Sequence, residues 1–407
     1  MLGGKPFAQS TITMRIPEAI SPHKITLITK MIEQNKQKQK TVFVGLSGGV
    51  DSSVSAYLLK EKGYKVVGAF IKVWQPDVVC DWKEDRRSAM RVAARLDIPF
   101  VTIDLSKEYK EEVVDYMLRE YREGKTPNPD VMCNKEIKFK AFLNKALGMG
   151  ADMIATGHYA RVSTREFPIS NFQFPDKELS LPPKIYQLQT ALDAAKEQSY
   201  FLWTLNQNEL SKTLFPIGGL MKSEVRKIAE KARLHTFEKK DSQGLCFIGK
   251  VDFKEFLKSK IDQKPGDVLD TNGRVIGHHD GAYFFTIGER HGFIITDKGT
   301  NDAPLYVVSK DVLNNTITVS PKSCYTFSDS QKCNILIEGT NWISGNPVIG
   351  KVYDAQVRYH QAYQKCKVEV GSDSTAKVEF LEPQVVASGQ SIVIYDQDTC
   401  LGGGVVK

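Results

Sequence analysis

Thr41–Ser53 reads TVFVGLSGGVDSS, and the fold is organised around it. The apolar run Val42-Phe43-Val44 has the texture of a strand buried in a parallel sheet. It enters a loop of small residues, Gly45-Leu46-Ser47-Gly48-Gly49-Val50-Asp51-Ser52-Ser53. A helical pattern follows at once, with Val54, Tyr57, Leu58 and Leu59 on one face, up to Gly63. Strand, glycine turn and helix in this order make a phosphate-binding arrangement. Gly48 and Gly49 let the backbone approach oxygen atoms with no side chain in the way. The first amides of the helix have no internal partner and point at a ligand. Ser47, Ser52 and Ser53 add hydroxyl groups. A turn that merely joins strand to helix is the alternative, and the agreement of all three elements weighs against it.

Outward from this stretch, strands alternate with helices. Lys65–Val73 (KVVGAFIKV) is a second strand, Arg86–Leu96 an amphipathic helix, Phe100–Leu105 a third strand. Helices are expected at about 110–122 and at Lys138–Leu147, and Met153–Thr156 is a short strand ending at Gly157-His158. This alternation predicts an α/β domain, a parallel sheet flanked by helices. Ligands in such sheets sit beyond the carboxyl ends of the strands. That edge collects Gly45–Ser53, the stretch after Phe70, and Gly157-His158.

Phe167–Pro183 is polar and proline-rich and reads as an inserted loop. Residues 222–234 and Val251–Lys260 are amphipathic helices. From Pro265 helical periodicity fades into short β-branched and aromatic runs: Gly281–Thr286, Leu305–Ser309, Thr316–Ser320, Val352–Tyr359, Lys377–Phe380 and Ser391–Tyr395. These predict antiparallel sheets or barrels. The expected organisation is a polar basic extension at 1–40, a catalytic α/β domain at 41–255, a small β-rich central domain at 256–321 and a C-terminal β-barrel at 322–407. The helical part at 211–234 is expected to pack with the central domain.

The 407 residues carry a net charge of +7, and the first 40, with seven Lys/Arg and two Asp/Glu, hold +5 of it. Any nucleic-acid surface on the rest must come from local placement of charge. The apolar stretches are strand-length, so no membrane span is expected. Seven cysteines, at 80, 133, 246, 324, 333, 366 and 400, lie outside CxxC spacing. That argues against zinc fingers and for a reducing compartment, expected to be the cytoplasm. An organelle is the alternative if the acid-poor extension is a presequence. Individual thiols then become candidates for chemistry.

Two cysteines stand in suggestive surroundings. Thr126–Asn134 reads TPNPDVMCN, and one helical turn there would set Asp130 and Cys133 on one cavity. A carboxylate beside a thiol offers acid/base work next to a nucleophile, though a helix cap with a buried cysteine is an equal alternative. Lys240–Gly249, KDSQGLCFIG, places Cys246 at the end of a turn, where a buried structural cysteine is the simpler account. His278-His279 and His291 lack neighbours at metal-ligand spacing, so no metal site is expected from them. Trp82 and Trp342 read as packing residues, and the cysteines at 80, 324, 333, 366 and 400 as structural.

The loop is neither a Walker motif nor a GxGxxG turn. It resembles the pyrophosphate loop of the ATP pyrophosphatase superfamily, whose members release pyrophosphate and leave AMP on the substrate. Six further motifs follow in order: TPNPDVMCN, ATGHYARV, KEQSYFLW, DSQGLCFIG, TIGERHGF and CLGGGVV. Together they resemble the tRNA-specific 2-thiouridylase (MnmA) family over about residues 42–407. The resemblance implies an adenine nucleotide α-hydrolase-like domain and an ATP-dependent 2-thiolation of the wobble uridine in tRNA for Lys, Glu and Gln. It places the persulfide on Cys246, the second catalytic thiol on Cys133 and acid/base work on Asp130. A Cys133–Cys246 disulfide would remain after sulfur transfer. It places ATP, with magnesium, on Gly45, Leu46, Ser47, Gly48, Gly49, Val50, Asp51 and Ser52, with Ile71 and Gly157 near adenine or ribose. Asn128, Pro129 and Asp130 would meet the target base. His158, Lys196, Glu197, Gln198, Arg358, Tyr359 and Gln390 fall where the family contacts tRNA. An upstream persulfide donor protein and a monomeric state are also implied. Ile71, Gln243 and Glu289 depart from common family residues (Met, Thr and Gln), and the extension and the insert are atypical. A ligase that joins an amine to an adenylated small molecule, or an RNA-binding scaffold with a dead nucleotide site, are the competing readings.

Overall fold

The computed structural model describes residues 39–76, 82–166, 184–240, 253–296, 303–321 and 334–407. Cys246 and its motif, the insert at 167–183, most of the 1–40 extension, and the cysteines at 80, 324 and 333 lie outside the described residues, as does 322–333 at the expected last boundary.

The first sheet is parallel. Its strands are β1 (Thr41–Gly45), β2 (Lys65–Lys72), β3 (Phe100–Asp104), β4 (Met153–Ala155) and the short β7 (Thr213–Leu214), in the order β3-β2-β1-β4-β7. Strand β1 pairs with β2 on one side and β4 on the other, so the chain reverses its direction of sheet growth at β1. The crevice beyond such a reversal is where open α/β sheets bind ligands. Alternation along β1 decides which helices cover which face. Val42 and Val44 pack with α1 (Val50–Glu61), α2 (Trp82–Arg95) and α6 (Lys222–Lys231). Phe43 packs on the other face, in the cluster that holds α3 (106–122) and α4 (129–148). Both faces are therefore apolar, which is why β1 reads as an unbroken hydrophobic run.

Two expectations change here. Helix α6 packs through Val225 and Ala229 into the cluster beneath the phosphate loop, not against the central domain. Helix α4 begins nine residues before Lys138. Asn128 caps it and Pro129 takes its first position, and Cys133–Phe142 runs with the wider π-type hydrogen bonding that disguises the 3.6-residue period.

The central sheet orders β10 (Phe293–Ile295), β9 (Val275–His279), β8 (Gly266–Leu269), β12 (Thr316–Pro321) and β11 (Leu305–Asp311), preceded by helix α7 (Phe253–Lys260). It is mostly antiparallel, but β8 and β12 are parallel. Gly281–Thr286, expected as a strand, is instead a 3-10 turn over Ala282–Phe284 that buries Phe284 and Phe285. The C-terminal strands β13 (Asn334–Trp342), β14 (Val352–Gln356), β15 (Gln364–Val370), β16 (Thr375–Phe380), β17 (Ser391–Asp396) and β18 (Thr399–Val406) close into a six-stranded antiparallel barrel through the β13–β18 pairing. A hairpin of the first domain, β5 (Ala160–Glu166) and β6 (Lys184–Thr190), adds to β18 at Leu188↔Cys400. Residues 41–407 thus form one compact unit. Among the described residues no helix is long and apolar enough to cross a membrane.

Candidate active site

The phosphate loop leaves β1 at Gly45 and turns at Gly48, whose φ of +76° favours glycine. A Cβ there would lie 2.6 Å from the Asp85 carbonyl oxygen of α2. Helix α1 then starts with no side chain capping its first amides, which leaves them directed outward. The serines brace the loop. The Ser52 hydroxyl accepts from Ser47 N at 3.2 Å, and the Ser53 hydroxyl donates to the Gly49 carbonyl at 2.7 Å. Two side chains fix the Gly48 carbonyl from outside, Ser88 Oγ at 2.9 Å and Lys239 Nζ at 3.1 Å.

Asp51 is the loop's one carboxylate. It accepts from Lys222 Nζ at 2.8 Å on both oxygens and from Tyr159 OH at 2.8 Å. Gln198 fixes Tyr159 in turn, exchanging hydrogen bonds with its backbone. Lys222 N donates to the buried Asp193 carboxylate at 2.8 Å. The stretch holding Asp193 and Gln198 is thereby strapped to the phosphate loop. Gly157 closes the other side, because a Cβ there would meet Ser52 N at 2.7 Å. Ile71 is buried at the end of β2, its Cδ1 3.8 Å from where a Gly45 Cβ would stand.

His158 lies inward of this edge. Thr156 Oγ1 is 2.7 Å from Nδ1, and Lys138 Nζ is 3.3 Å from Nε2. An ammonium only donates, so Nε2 accepts, and the ring is neutral with its proton on Nδ1. Burial, and then the Lys138 charge, hold its pKa well below 6.5. Phe139 and Phe215 pack on the ring. The side chain expected to touch RNA is therefore enclosed, and in this conformation it organises the wall of the site. Glu197 is likewise buried, accepting from Ser199 N at 2.6 Å, and desolvation raises its pKa. Lys196 and Gln198 are half-buried.

The second part of the site is the first turn of α4. The Asn128 side chain accepts from Asp130 N and Val131 N, at 3.1 and 3.2 Å. Asp130 then sits in the positive first turn of the helix, half-buried, with Cys133 fully buried one turn on. The other domains converge here. Thr126 N donates to Ser388 O at 2.8 Å, and Thr126 and Thr286 hydroxyls lie 3.3 Å apart. Arg358 spans the junction, from Nη2 to the Ile287 carbonyl at 2.8 Å and from Nε to Gln390 Oε1 at 3.3 Å. The Tyr359 ring lies 4.4 Å from that of Phe201. Burial pushes the Tyr359 phenol up to about 12, helped by the Glu197 and Asp130 carboxylates. Arg358, Tyr359 and Gln390 are thus gathered beside Asn128 and Asp130.

Lys222, Tyr159 and Phe201 were not singled out from the sequence. The one available signal for Lys222 was a cation opening a helix, where the dipole disfavours it. Among the described residues no group of three or more His, Cys, Asp or Glu could hold a metal ion.

A parallel sheet with SGGVDSS at its reversal point defines an ATP-pyrophosphatase-type domain. Three family models match in tandem: a tRNA methyl transferase HUP domain over residues 40–250, a tRNA methyl transferase PRC-barrel domain over 254–321 and an aminomethyltransferase β-barrel domain over 332–406. Among similar proteins are tRNA-specific 2-thiouridylases from Methylobacillus flagellatus (42% identical, covering 90% of this chain and 99% of that one), Bordetella petrii (43%, 91% and 97%) and Listeria innocua (44%, 90% and 94%). The chain belongs to the tRNA-specific 2-thiouridylase (MnmA) family. A U34-tRNA thiolase from Methanococcus maripaludis overlaps 62% of this chain and 82% of its own, at 18% identity and a TM-score of 0.32. That likeness adds nothing to the assignment.

Proposed function

We propose that this protein is a tRNA-uridine 2-sulfurtransferase that uses ATP to replace the carbonyl oxygen at carbon 2 of the wobble uridine in tRNA for Lys, Glu and Gln. The observation that carries the reading is the pairing of a phosphate loop with a helical turn that bears Asp130 and Cys133, beside Arg358, Tyr359 and Gln390 of the barrel.

The chemistry divides between the two parts. Oxygen at carbon 2 is a poor leaving group until it becomes part of AMP. In the first step that oxygen attacks the α-phosphorus of ATP, and the bond to the β-phosphate breaks. The outward amides of α1 are suited to hold the departing pyrophosphate, with Ser47 and Ser52 bracing the loop that presents them. Magnesium arriving with ATP would add positive charge to those oxygens. In the second step a persulfide on Cys246 adds its terminal sulfur to carbon 2, and AMP leaves. The Cys133 thiolate attacks the inner sulfur, the S–S bond breaks, carbon 2 keeps its sulfur, and a Cys133–Cys246 disulfide remains. A thiol reductant and an upstream persulfide donor protein then reset the enzyme. Asp130 would move the proton, and Asn128-Pro129-Asp130 would meet a base that has left its stack. A monomer acting in the cytoplasm, or in an organelle if the N-terminal extension directs it there, fits this scheme.

Methyl transfer, the word in two of the family descriptions, makes no pyrophosphate and gives the loop no task. The test combines the purified chain, ATP, magnesium, unmodified tRNA and a persulfide donor, with nucleosides read by mass spectrometry. ATP-dependent 2-thiouridine that disappears with Cys133→Ser and with Cys246→Ser is the expected result. AMP and pyrophosphate formed with an amine acceptor, and no thiolation, would move the assignment to a ligase.

A further inference from the structure

We propose that Ser88, His235 and Lys239 form a positioning network for the pyrophosphate site: from behind the phosphate loop they hold the Gly48 carbonyl and so aim the Gly49 amide at the departing anion. The inference rests on the proposed reading of the loop as the pyrophosphate cradle. Gly48 is buried, and its carbonyl oxygen accepts from Ser88 Oγ of α2 at 2.9 Å and from Lys239 Nζ at 3.1 Å. In a trans peptide the carbonyl and the following N–H point to opposite sides. With the oxygen fixed toward α2, the Gly49 N–H faces Ser47, which is exposed, and donates to its hydroxyl at 3.3 Å. That bond is long, and a phosphate oxygen, whose charge strengthens the interaction, can displace it.

Each donor is itself held. A hydroxyl has one hydrogen and the Gly48 carbonyl only accepts, so Ser88 Oγ accepts from His235 Nε2, 2.9 Å away. Lys239 Nζ also donates to the Asp85 carboxylate at 2.8 Å, which keeps the ammonium against α2. Arg226, one turn into α6, donates to the Phe237 carbonyl at 2.7 Å and to the Lys239 carbonyl at 3.2 Å. Helix α6 therefore grips the loop twice, through Lys222 on Asp51 and through Arg226 on the turn that carries Lys239. One donor would satisfy the Gly48 carbonyl; two, each braced from behind, fix its direction.

The test is calorimetric binding of magnesium pyrophosphate to the full-length chain. Either donor alone still satisfies the buried carbonyl, and removal of both leaves it with neither. Ser88→Ala and Lys239→Met should each weaken binding about threefold, and the double variant about a hundredfold, far beyond the product of the two. Lys239→Arg, which keeps a donor, should bind like wild type. His235→Phe strips the donor from Ser88 without touching Gly48 and should weaken binding about twofold. A Lys239 that only attracted the anion by its charge would give single effects that multiply in the double variant. A brace that only supported the fold would lower the Tm of the variants and leave their dissociation constants unchanged. Either result overturns the inference. A wild-type chain that binds no pyrophosphate overturns it together with the reading of the loop. A wild type that binds, beside a double variant that fails, upholds it even if the chain never makes 2-thiouridine.

Discussion

At the phosphate loop the chain has already spent most of its polar groups on itself. Ser47, Ser52 and Ser53 bond within the loop, Ser88 and Lys239 hold Gly48, and Lys222 and Tyr159 hold Asp51. At the Asp130 turn the arrangement is more open. Three domains supply Thr126, Thr286, Arg358, Gln390, Phe201 and Tyr359, several of them half-exposed. The first region suits a small, invariant ligand that must be met by rigid donors. The second suits a polymer whose loop rearranges as it docks. Preorganisation is concentrated where charge develops, and adaptable surface where the substrate is large.

If the two regions do separate jobs, substitutions should divide the reaction. The largest effect belongs to Cys133→Ser, which should lower 2-thiouridine formation by more than about a thousandfold and leave AMP release from adenylated tRNA measurable by radiolabel. Next is Gly48→Ala. Its Cβ would press on the backbone of α2 and force a positive φ on alanine. About a hundredfold loss of ATP-dependent turnover is expected, together with loss of the rise in Tm that ATP gives wild type, while tRNA binding in a filter assay persists. Lys222→Met comes third. Asp51 would keep Tyr159 but lose its cation, at about 1–3 kcal/mol in denaturant melts, with a raised KM for ATP and an unchanged one for tRNA.

Arg358→Ala probes the other region. It should weaken tRNA binding about fivefold and reduce the slope of log affinity against log salt by about one, with ATP binding untouched. The smallest effect at neutral pH is that of His158→Gln. The folded imidazole refuses a proton that the unfolded chain accepts near pH 6.5. The unfolded state therefore binds more protons below that pH, and wild-type stability falls there by up to about 1.4 kcal/mol per pH unit. The variant should lose that portion of the slope in chemical denaturation measured between pH 5 and 7.

The division also explains what the sequence disclosed. The phosphate loop is local. Strand, glycines and helix are consecutive, so Thr41–Ser53 announces both its fold and its ligand. The closed barrel was legible as a texture of short alternating runs, and the parallel sheet as alternating strands and helices. A helical turn or cap at 126–134 was legible, but not that it runs on into the Lys138–Leu147 helix, because Cys133–Phe142 departs from regular periodicity. Gly281–Thr286 carries the aromatic residues of a strand, yet they serve to fill a core from a 3-10 turn. The ion pair of Lys222 with Asp51 and the meeting of Phe201 with Tyr359 join residues more than a hundred positions apart. Their local pattern names no partner, and the one hint was a cation at the start of the Lys222 helix. His158 was found by its neighbours in sequence, but its burial is a property of Lys138, Phe139 and Phe215 around it.

The central claim is that ATP activates the carbonyl oxygen of the base and that sulfur then displaces it. An anticodon stem-loop with oxygen-18 at carbon 2 of the target uridine tests this in one turnover. The account predicts that the label leaves in AMP, one heavy oxygen for each 2-thiouridine formed. Thiolation with the label in water, inorganic phosphate or pyrophosphate, and AMP unlabelled, would contradict it.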